Sequence, residues 1–292
     1  MFLSLETLFA DGGAKVESEF IADGSTFTLE CDRYVSERGA LADGDRPALV
    51  LRTRCEKAGR PRAGTAIWVH GAPFEKLDEE PRVELLALLG LGYDVVVPLY
   101  LSSGGRPLDV GPDRVSPDLD DALAEIVAVV KAARRRGGRV ILLGESTGAV
   151  LAAAAARHLR VSDKLVLQGP WLKPLRQAFE ADQNVVGGAV PFEGAAASTP
   201  SGEDQIAFSR GVLDRFYGAW AERDPIALLT AHPPRDMLVV YGDKDEEIGL
   251  ERMPALLAVG GRRRRSLVLR GAGHAGIATR ADLDRLVAEL ER

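Results

Sequence analysis

The sequence predicts an α/β protein whose mainly parallel central sheet is covered by helices on both faces. From Gly64 onward, short β-branched runs alternate with longer segments of helical periodicity, which is the pattern of repeated βαβ units. The short runs are mostly apolar and do not alternate with polar residues, as is typical of parallel strands that are buried on both faces. The chain has 292 residues, of which 46% are hydrophobic, so we expect one domain over residues 1–292.

The predicted parallel strands, in chain order, are Ala66–His70, Asp94–Pro98, Val140–Leu143, Lys164–Leu167, Met237–Tyr241 and Leu267–Leu269. Residues 1–60 alternate between apolar and polar positions instead, as in Phe27–Cys31 and Leu49–Arg52. This alternation predicts antiparallel strands that extend the same sheet at its edge.

Helical patterns lie between these strands. Ser116-Pro117-Asp118 combines an N-cap residue, a proline and an early acidic residue, so a helix is predicted from there to Val130. An alanine-rich helix is predicted over about 147–159, and a last helix is predicted to start at Thr279. Residues 171–234 break the rhythm, which predicts an inserted cap or lid.

The charge balance excludes a general nucleic-acid-binding protein. The formal net charge is −6, whereas such proteins need a basic face to displace counterions from phosphates. The arginine-rich segments 134–136 and 262–265 each precede an apolar run and are interpreted as solvated turns. Residues 1–10 have no basic region and no long apolar stretch, which predicts a cytoplasmic protein with no membrane partner.

Cys31 and Cys55 are the two cysteines of the chain. They are too few for a disulfide framework and lack the paired spacing of a zinc site, so we expect both to be reduced core residues. The chain also offers no glycine-rich phosphate loop and no clustered His or Cys ligands. We therefore expect no metal and no cofactor.

The pentapeptide Gly144-Glu145-Ser146-Thr147-Gly148 lies between a predicted strand and the alanine-rich helix. In this context it is typical of a nucleophile elbow, where the serine occupies a strained strand-to-helix turn and the flanking glycines let the backbones pass. The turn would place a helix N-terminus beneath the serine, which makes the Thr147 amide a candidate donor to a developing oxyanion. The alternative is a structural glycine turn.

A nucleophilic serine needs a base, and the base needs an acidic partner that orients it. His274 follows the last predicted strand in a glycine-rich loop and is the candidate base. His158 near a helix end and His232 beside two prolines have no comparable setting. The segment Gly242–Asp245, which follows the preceding strand, supplies the acidic residue.

From Gly64 to its end the chain resembles an α/β-hydrolase, and within that fold it most resembles the catalytic domain of the prolyl oligopeptidase family. His70-Gly71-Ala72-Pro73 is similar to that family's His-Gly-Gly-Pro. Pro98-Leu99-Tyr100 is similar to the Pro-Asn-Tyr with which its next strand ends. About sixty residues precede the region of resemblance, so we expect the catalytic domain without its propeller.

The resemblance implies a triad in the chain order Ser, Asp, His, with the acid in a Gly-x-x-Asp turn. It therefore favours Asp245 over the alternatives, which are Asp243, Glu246 and Glu247. It also implies that the Tyr100 hydroxyl and the Ala72 amide join the Thr147 amide in the oxyanion hole. The alternative for Tyr100 is a packing role at a strand end.

Together these features predict a serine hydrolase that cleaves an ester or related acyl bond of a small-molecule substrate through an acyl-enzyme. Ser146 would be the nucleophile, His274 the base and Asp245 its partner, with Trp171 as a candidate substrate contact. The alternatives are a small exopeptidase or amidase, an acyltransferase or cyclising enzyme of a biosynthetic pathway, and a ligand-binding protein on a hydrolase scaffold. Ala72 and Leu99 depart from the family pattern, which weighs against peptidase activity.

Overall fold

The structure is a computed structural model, and its described residues are 15–19, 26–43, 46–59, 61–71, 83–99, 118–177, 217–231, 236–258, 263–274, 276–277 and 279–292. The strands are β1 Lys15–Glu19, β2 Thr26–Glu30, β3 Arg33–Asp43, β4 Arg46–Glu56, β5 Gly64–Val69, β6 Tyr93–Pro98, β7 Arg139–Glu145, β8 Lys164–Gln168, β9 Asp236–Gly242 and β10 Arg263–Leu269. The helices are α1 Val83–Gly90, α2 Leu119–Arg136, α3 Thr147–Ala155, α4 Pro225–Ala231, α5 Met253–Ala258 and α6 Arg280–Glu291.

An eight-stranded sheet in the order β10-β9-β8-β7-β5-β6-β4-β3 forms the centre of the described structure. Neighbouring strands from β10 to β6 are parallel, whereas β4 and β3 join the β6 edge in antiparallel fashion. The predicted mainly parallel sheet is therefore confirmed, as is each of its predicted parallel strands.

Two N-terminal strands, β1 and β2, do not join this sheet. Phe27–Cys31 was predicted to extend the sheet edge, but β2 pairs with β1 as a separate antiparallel pair. Leu29 of β2 is 2% exposed and packs in the same apolar cluster as the leucines of α1. The apolar side of β2 is thus buried in the layer that contains α1, although β2 is not hydrogen-bonded to the main sheet. An alternating pattern alone does not distinguish this arrangement from a sheet edge.

Helices cover both faces of the sheet. The apolar residues of α2 and α3 pack with one set of strand side chains, and those of α1 and α6 pack with the other set. Because successive side chains of a buried strand point to opposite faces, the uniformly apolar strands supply both layers. Burial of each large aliphatic side chain contributes roughly 1.5–3 kcal/mol, so the two layers are the main source of stability.

Capping side chains lie at the first turns of α2 and α6, and one of the two predicted helix starts was wrong. Thr279 caps α6 as expected, and its hydroxyl accepts from the Asp282 N–H at 3.1 Å. The start predicted for α2 was wrong, because Asp118 is the cap and its carboxylate accepts from the Asp121 N–H at 2.8 Å. Ser116 lies outside the described residues.

The arginine-rich segments are largely solvent-exposed, as predicted, but they lie in a helix and a strand and not in turns. Arg134–Arg136 complete the last turn of α2, where cations complement the negative end of the helix dipole. Arg263–Arg265 open β10, and Arg265 pairs with Asp236 at 3.0 Å and with Glu289 at 2.8 Å. β10 therefore begins before the predicted start at Leu267, and Arg263–Ser266 pair with β9 as part of the parallel ladder.

A buried lysine ties the last helix to the sheet. Lys164 at the start of β8 is 0% exposed, and its Nζ donates to the Leu290 carbonyl at 3.1 Å. Burial, together with the nearby charge of Arg139, lowers the pKa of Lys164 from 10.5 to about 8. The contact satisfies a carbonyl of the last turn of α6, which has no partner within the helix.

The two cysteines form a disulfide, so the prediction of reduced cysteines was wrong. Cys31 follows β2, Cys55 lies in β4, and their Cα atoms are 5.4 Å apart. This distance is typical of disulfides. The bond joins the β1–β2 pair to the main sheet, a proximity that depends on how the strands pack and not on cysteine spacing. Because disulfides persist mainly in oxidising compartments, the bond weighs against the predicted cytoplasmic location.

The predicted cap, residues 171–234, falls largely on residues 178–216 and 232–234, which lie outside the described part of the chain. The described remainder includes a short turn at Gly218–Trp220, in which the Trp220 indole N–H donates to Asp120 Oδ1 at 2.7 Å. This contact joins the end of the segment to α2.

We expect the Cys31→Ser/Cys55→Ser double variant to lose about 3 kcal/mol of unfolding free energy, because the bond closes a loop with a sequence separation of 24 residues. Urea unfolding of both proteins measures the difference. Dithiothreitol should destabilise the wild type and leave the variant unchanged. A wild type that is insensitive to dithiothreitol would contradict the stabilising role of the bond.

Candidate active site

Ser146 forms the turn between β7 and α3 and has a strained backbone. Its φ is 51° and its ψ is −123°, and no other non-glycine residue in the described ranges has a positive φ. Such a conformation persists only where the surrounding structure holds it. The Ser146 N–H donates to the Gln168 carbonyl at 3.0 Å, and its own carbonyl accepts from the Trp171 N–H at 3.1 Å.

The two glycines of the pentapeptide are required by close backbone contacts. A Cβ added to Gly144 would lie 2.6 Å from the Ala149 Cα and from the Ala152 Cβ of α3. A Cβ added to Gly148 would collide with the carbonyl oxygens of Val69 and His70. The strand-to-helix turn can therefore close only with glycine at both positions.

The parallel register brings three strand ends together. Glu145 of β7 is level with Gln168 of β8, which is level with Val240 of β9. Gly242 of β9 is level with Leu269 of β10. The loops that follow β7, β9 and β10 therefore emerge at the same carboxyl edge of the sheet, where ligands bind in open α/β sheets.

Three side chains from these loops form one hydrogen-bonded chain. His274 Nε2 lies 3.1 Å from Ser146 Oγ, and His274 Nδ1 lies 2.9 Å from Asp245 Oδ2. Because a carboxylate can only accept, the Nδ1 atom carries the hydrogen of that bond. The Nε2 atom is then free to accept the Ser146 hydroxyl proton. The predicted residues Ser146, Asp245 and His274 are thus adjacent.

The Asp245 carboxylate is buried and fully hydrogen-bonded. Its side chain is 0% exposed, whereas that of His274 is 25% exposed. While Oδ2 faces His274, Oδ1 accepts from the backbone N–H groups of Glu247 at 3.0 Å and Ile248 at 3.3 Å. These amides hold the carboxylate in one orientation and compensate for the loss of its hydration.

Asp243 occupies a different position. Its Oδ1 accepts from the Gly271 N–H at 2.6 Å, and its side chain is 32% exposed. Asp243 therefore binds the backbone of the loop that carries His274. Among the described residues, no hydrogen bond joins the Asp243 side chain to the imidazole. Glu246 and Glu247 are exposed.

The residues predicted for an oxyanion hole are described only in part. Thr147 is the first residue of α3, so its amide lies at the positive end of the helix dipole beside Ser146. Ala72 and Tyr100 lie outside the described residues. His70, at the end of β5, is 0% exposed, and its Nδ1 donates to the Gly71 carbonyl at 2.8 Å.

Trp171 lies next to the serine turn. Its backbone N–H donates to the Ser146 carbonyl at 3.1 Å, the residue is 9% exposed, and Lys173 Nζ lies 5.5 Å from its ring centroid. The ring packs in the apolar cluster that contains α3. Trp171 therefore lies beside the serine turn. A contact between its side chain and the substrate stays a prediction.

Sequence reasoning did not single out Gln168, Gly169 or Glu84, which surround the same edge. Gly169 has a φ of 45°, and a Cβ there would lie 3.4 Å from His274 Nδ1 and 3.7 Å from Asp245 Oδ2. Two features of the sequence could have indicated these residues. Gln168 is a polar residue at the end of an apolar strand, and Glu84 is a glutamate within the otherwise apolar helix α1.

Within the described ranges, no group of three or more His, Cys, Asp or Glu side chains is arranged to hold a metal ion. None of the described helices combines the length and apolar character that a membrane span requires.

The sheet order and the strand–serine–helix turn define an α/β-hydrolase fold. A model of the alpha/beta hydrolase family matches residues 66–289, and the chain belongs to this family. No curated protein matches the chain.

Several solved structures share the fold at low sequence identity. A puromycin-hydrolyzing peptidase of Mycobacterium tuberculosis is 17% identical with a TM-score of 0.56, over 95% of this chain and 44% of that chain. The chain therefore spans less than half of that peptidase. The 2-hydroxy-6-oxo-6-phenylhexa-2,4-dienoate hydrolase of Rhodococcus sp. strain RHA1 is 17% identical with a TM-score of 0.58, over 89% of this chain and 100% of that chain.

An esterase of Pyrococcus furiosus is 16% identical with a TM-score of 0.56, over 89% of this chain and 91% of that chain. Prolyl endopeptidases are also among the structural neighbours. The predicted resemblance to the prolyl oligopeptidase family is thus confirmed at the level of the fold.

We expect Gly148→Ala to destabilise the protein by several kcal/mol, because the added methyl group meets the carbonyls of Val69 and His70. Gly39→Ala is the matched control, since a Cβ there meets nothing within 4 Å. Thermal unfolding of both variants measures the effect. Equal melting temperatures would contradict the close approach of β5 and α3.

Proposed function

We propose that the protein is a serine hydrolase that cleaves an ester or related acyl bond through an acyl-enzyme. The observation that carries the proposal is the continuous chain of hydrogen bonds from Ser146 through His274 to the buried Asp245. A strained serine at a strand-to-helix turn, with its hydroxyl on an oriented imidazole, has the geometry of an activated nucleophile. Membership in the alpha/beta hydrolase family supports the proposal.

In the proposed reaction, Ser146 Oγ bonds to the acyl carbon while its proton moves to His274 Nε2 and the carbonyl electron pair moves onto oxygen. His274 then returns the proton to the leaving oxygen as the bond between that oxygen and the acyl carbon breaks. A water molecule attacks the acyl-enzyme and gives His274 its proton. As this second intermediate collapses, the bond between the acyl carbon and Ser146 Oγ breaks, His274 returns its proton to Oγ, and the acid is released.

Asp245 stabilises the imidazolium that forms in each half-reaction. The two backbone amides on its other oxygen keep it aligned with His274 Nδ1 throughout. The negative charge that develops on the substrate oxygen would be bound by the Thr147 amide at the N-terminus of α3. The family resemblance supports the Ala72 amide and the Tyr100 hydroxyl as further donors.

A small exopeptidase or amidase is the second candidate. The structural likeness to a puromycin-hydrolyzing peptidase favours it, and the same triad acts on esters and amides. Comparison of kcat/KM for matched ester and amide probes separates the two candidates. An acyltransferase would instead yield a new acyl product when an acceptor alcohol or amine is added.

The proposed substrate is a small acyl compound, bound between the carboxyl edge of the sheet and a cap formed from residues 171–234. The position of Trp171 beside Ser146 supports its role as a wall of this site. The whole of residues 1–292 is proposed to act as one domain with this cap inserted.

We expect a fluorophosphonate probe to add once to the wild-type protein and not to Ser146→Ala, because only the imidazole-activated hydroxyl attacks phosphorus readily. Intact-protein mass spectrometry measures the adduct. Ser36→Ala is the control, since Ser36 lies on β3 at the far edge of the sheet and should not affect labelling. Absence of an adduct on the wild type would instead favour a ligand-binding protein on this fold.

We expect Asp245→Asn to lower kcat for p-nitrophenyl acetate by about 10⁴-fold, because the amide no longer selects the productive tautomer of His274. Asp243→Asn is the matched control and should retain kcat within a few-fold, since its side chain contacts the loop backbone and not the imidazole. A larger loss in Asp243→Asn than in Asp245→Asn would reverse the assignment of the acid.

A further inference from the structure

A buried polar pair lies beneath the site. Gln168, the last residue of β8, is 3% exposed, and Glu84 of α1 is 2% exposed. Gln168 Nε2 donates to Glu84 Oε1 at 3.1 Å. Burial of such groups costs free energy unless all their hydrogen bonds are made.

This pair is only partly satisfied. Gln168 Oε1 has no hydrogen-bond partner among the described residues, although it is shielded from solvent. The amide cannot turn over to improve this, because its NH₂ group must face the carboxyl oxygen of Glu84. An apolar pair of similar size would pack in this layer without that penalty. The stability of the fold therefore does not explain the pair.

Gln168 and its neighbour contact all three loops of the site. The Gln168 carbonyl accepts from the Ser146 N–H at 3.0 Å. Gly169 lies against the ring of His274 and close to Asp245 Oδ2. The side-chain amide of Gln168 also contacts the loop that carries His274, because a Cβ added to Gly276 would lie 2.8 Å from Nε2.

Gly276 follows His274 by two positions and has a φ of 89°. The loop backbone therefore rests directly on the Gln168 amide, with no side chain between them. Glu84 holds that amide in place from the side of α1. A chain of contacts thus runs from Glu84 through Gln168 to the loop that carries the imidazole.

We propose that Glu84 and Gln168 are positioning residues that support the His274 loop and so fix the distance between the imidazole and the Ser146 hydroxyl. The inference rests on the proposed serine hydrolase function. Without the Glu84 acceptor, the Gln168 amide loses its fixed orientation and the loop loses its support. The distance of 3.1 Å between His274 Nε2 and Ser146 Oγ then lengthens, and proton transfer slows.

The test compares Glu84→Leu, which removes the acceptor, with Glu84→Gln, which keeps an acceptor oxygen at the same reach. Glu37→Leu is a control for charge loss, since Glu37 is half-exposed on the distant strand β3. We expect kcat for p-nitrophenyl acetate and the rate of fluorophosphonate labelling to fall about tenfold to a hundredfold in Glu84→Leu, with KM nearly unchanged. Glu84→Gln and Glu37→Leu should stay within about twofold of wild type.

A second measurement reads the position of the imidazole without turnover. The hydrogen between His274 Nδ1 and Asp245 should give a downfield proton resonance in the wild type and in Glu84→Gln, which is weakened or lost in Glu84→Leu. If Glu84→Leu does not fold, Gln168→Met provides the same test, because it keeps the side-chain length and removes the amide.

The outcomes separate this inference from the proposed function. Unchanged labelling and an unchanged resonance in a folded Glu84→Leu variant would overturn the positioning role while the hydrolase assignment stands. If the probe does not label the wild type, the hydrolase assignment is overturned. If the resonance of the wild type is nevertheless lost in Glu84→Leu, the positioning role is supported.

Discussion

Ser146 holds a left-handed backbone conformation that a residue with a side chain adopts only under constraint, and the surrounding elements supply that constraint. β7 and α3 meet at this one residue, so its strain is the condition for presenting the hydroxyl above the sheet edge. Gly144 and Gly148 remove the side chains that would separate strand from helix. The Gln168 carbonyl and the Trp171 amide hold the two ends of the serine peptide. The packed sheet thereby compensates for the strain at the turn.

A second requirement is that a carboxylate be kept buried beside an imidazole. Asp245 meets this requirement because one of its oxygens accepts from His274, while the other accepts from the backbone amides of Glu247 and Ile248. A partly exposed aspartate such as Asp243 would exchange its partners with water. The imidazole in turn keeps its outer nitrogen directed at the serine. The backbone amides thus orient the carboxylate, the carboxylate orients the imidazole, and the imidazole orients the hydroxyl.

The sequence predicted most of the parallel sheet because each buried strand is an uninterrupted apolar run, and it predicted the serine turn because the motif lies between such a run and a helix. It mispredicted features that depend on which elements meet. β2 pairs with β1 and packs in the apolar layer of α1 without joining the main sheet, and Arg265 of β10 pairs with Asp236 and Glu289. Cys31 and Cys55 have a sequence separation of 24, with all of β3 and most of β4 between them, so their spacing did not indicate a bond.

What the sequence by itself determined is local: the periodicity of strands and helices, the small residues that the serine turn requires, and the order in which Ser146, Asp245 and His274 occur. These follow from covalent geometry and side-chain size, which act over a few residues. Only the tertiary structure decided that Asp245 and not Asp243 faces the imidazole, and that Gln168 and Glu84 lie beneath its loop. Those contacts join positions distant in the chain, and they arise because the parallel register brings the ends of β7, β8, β9 and β10 to one edge.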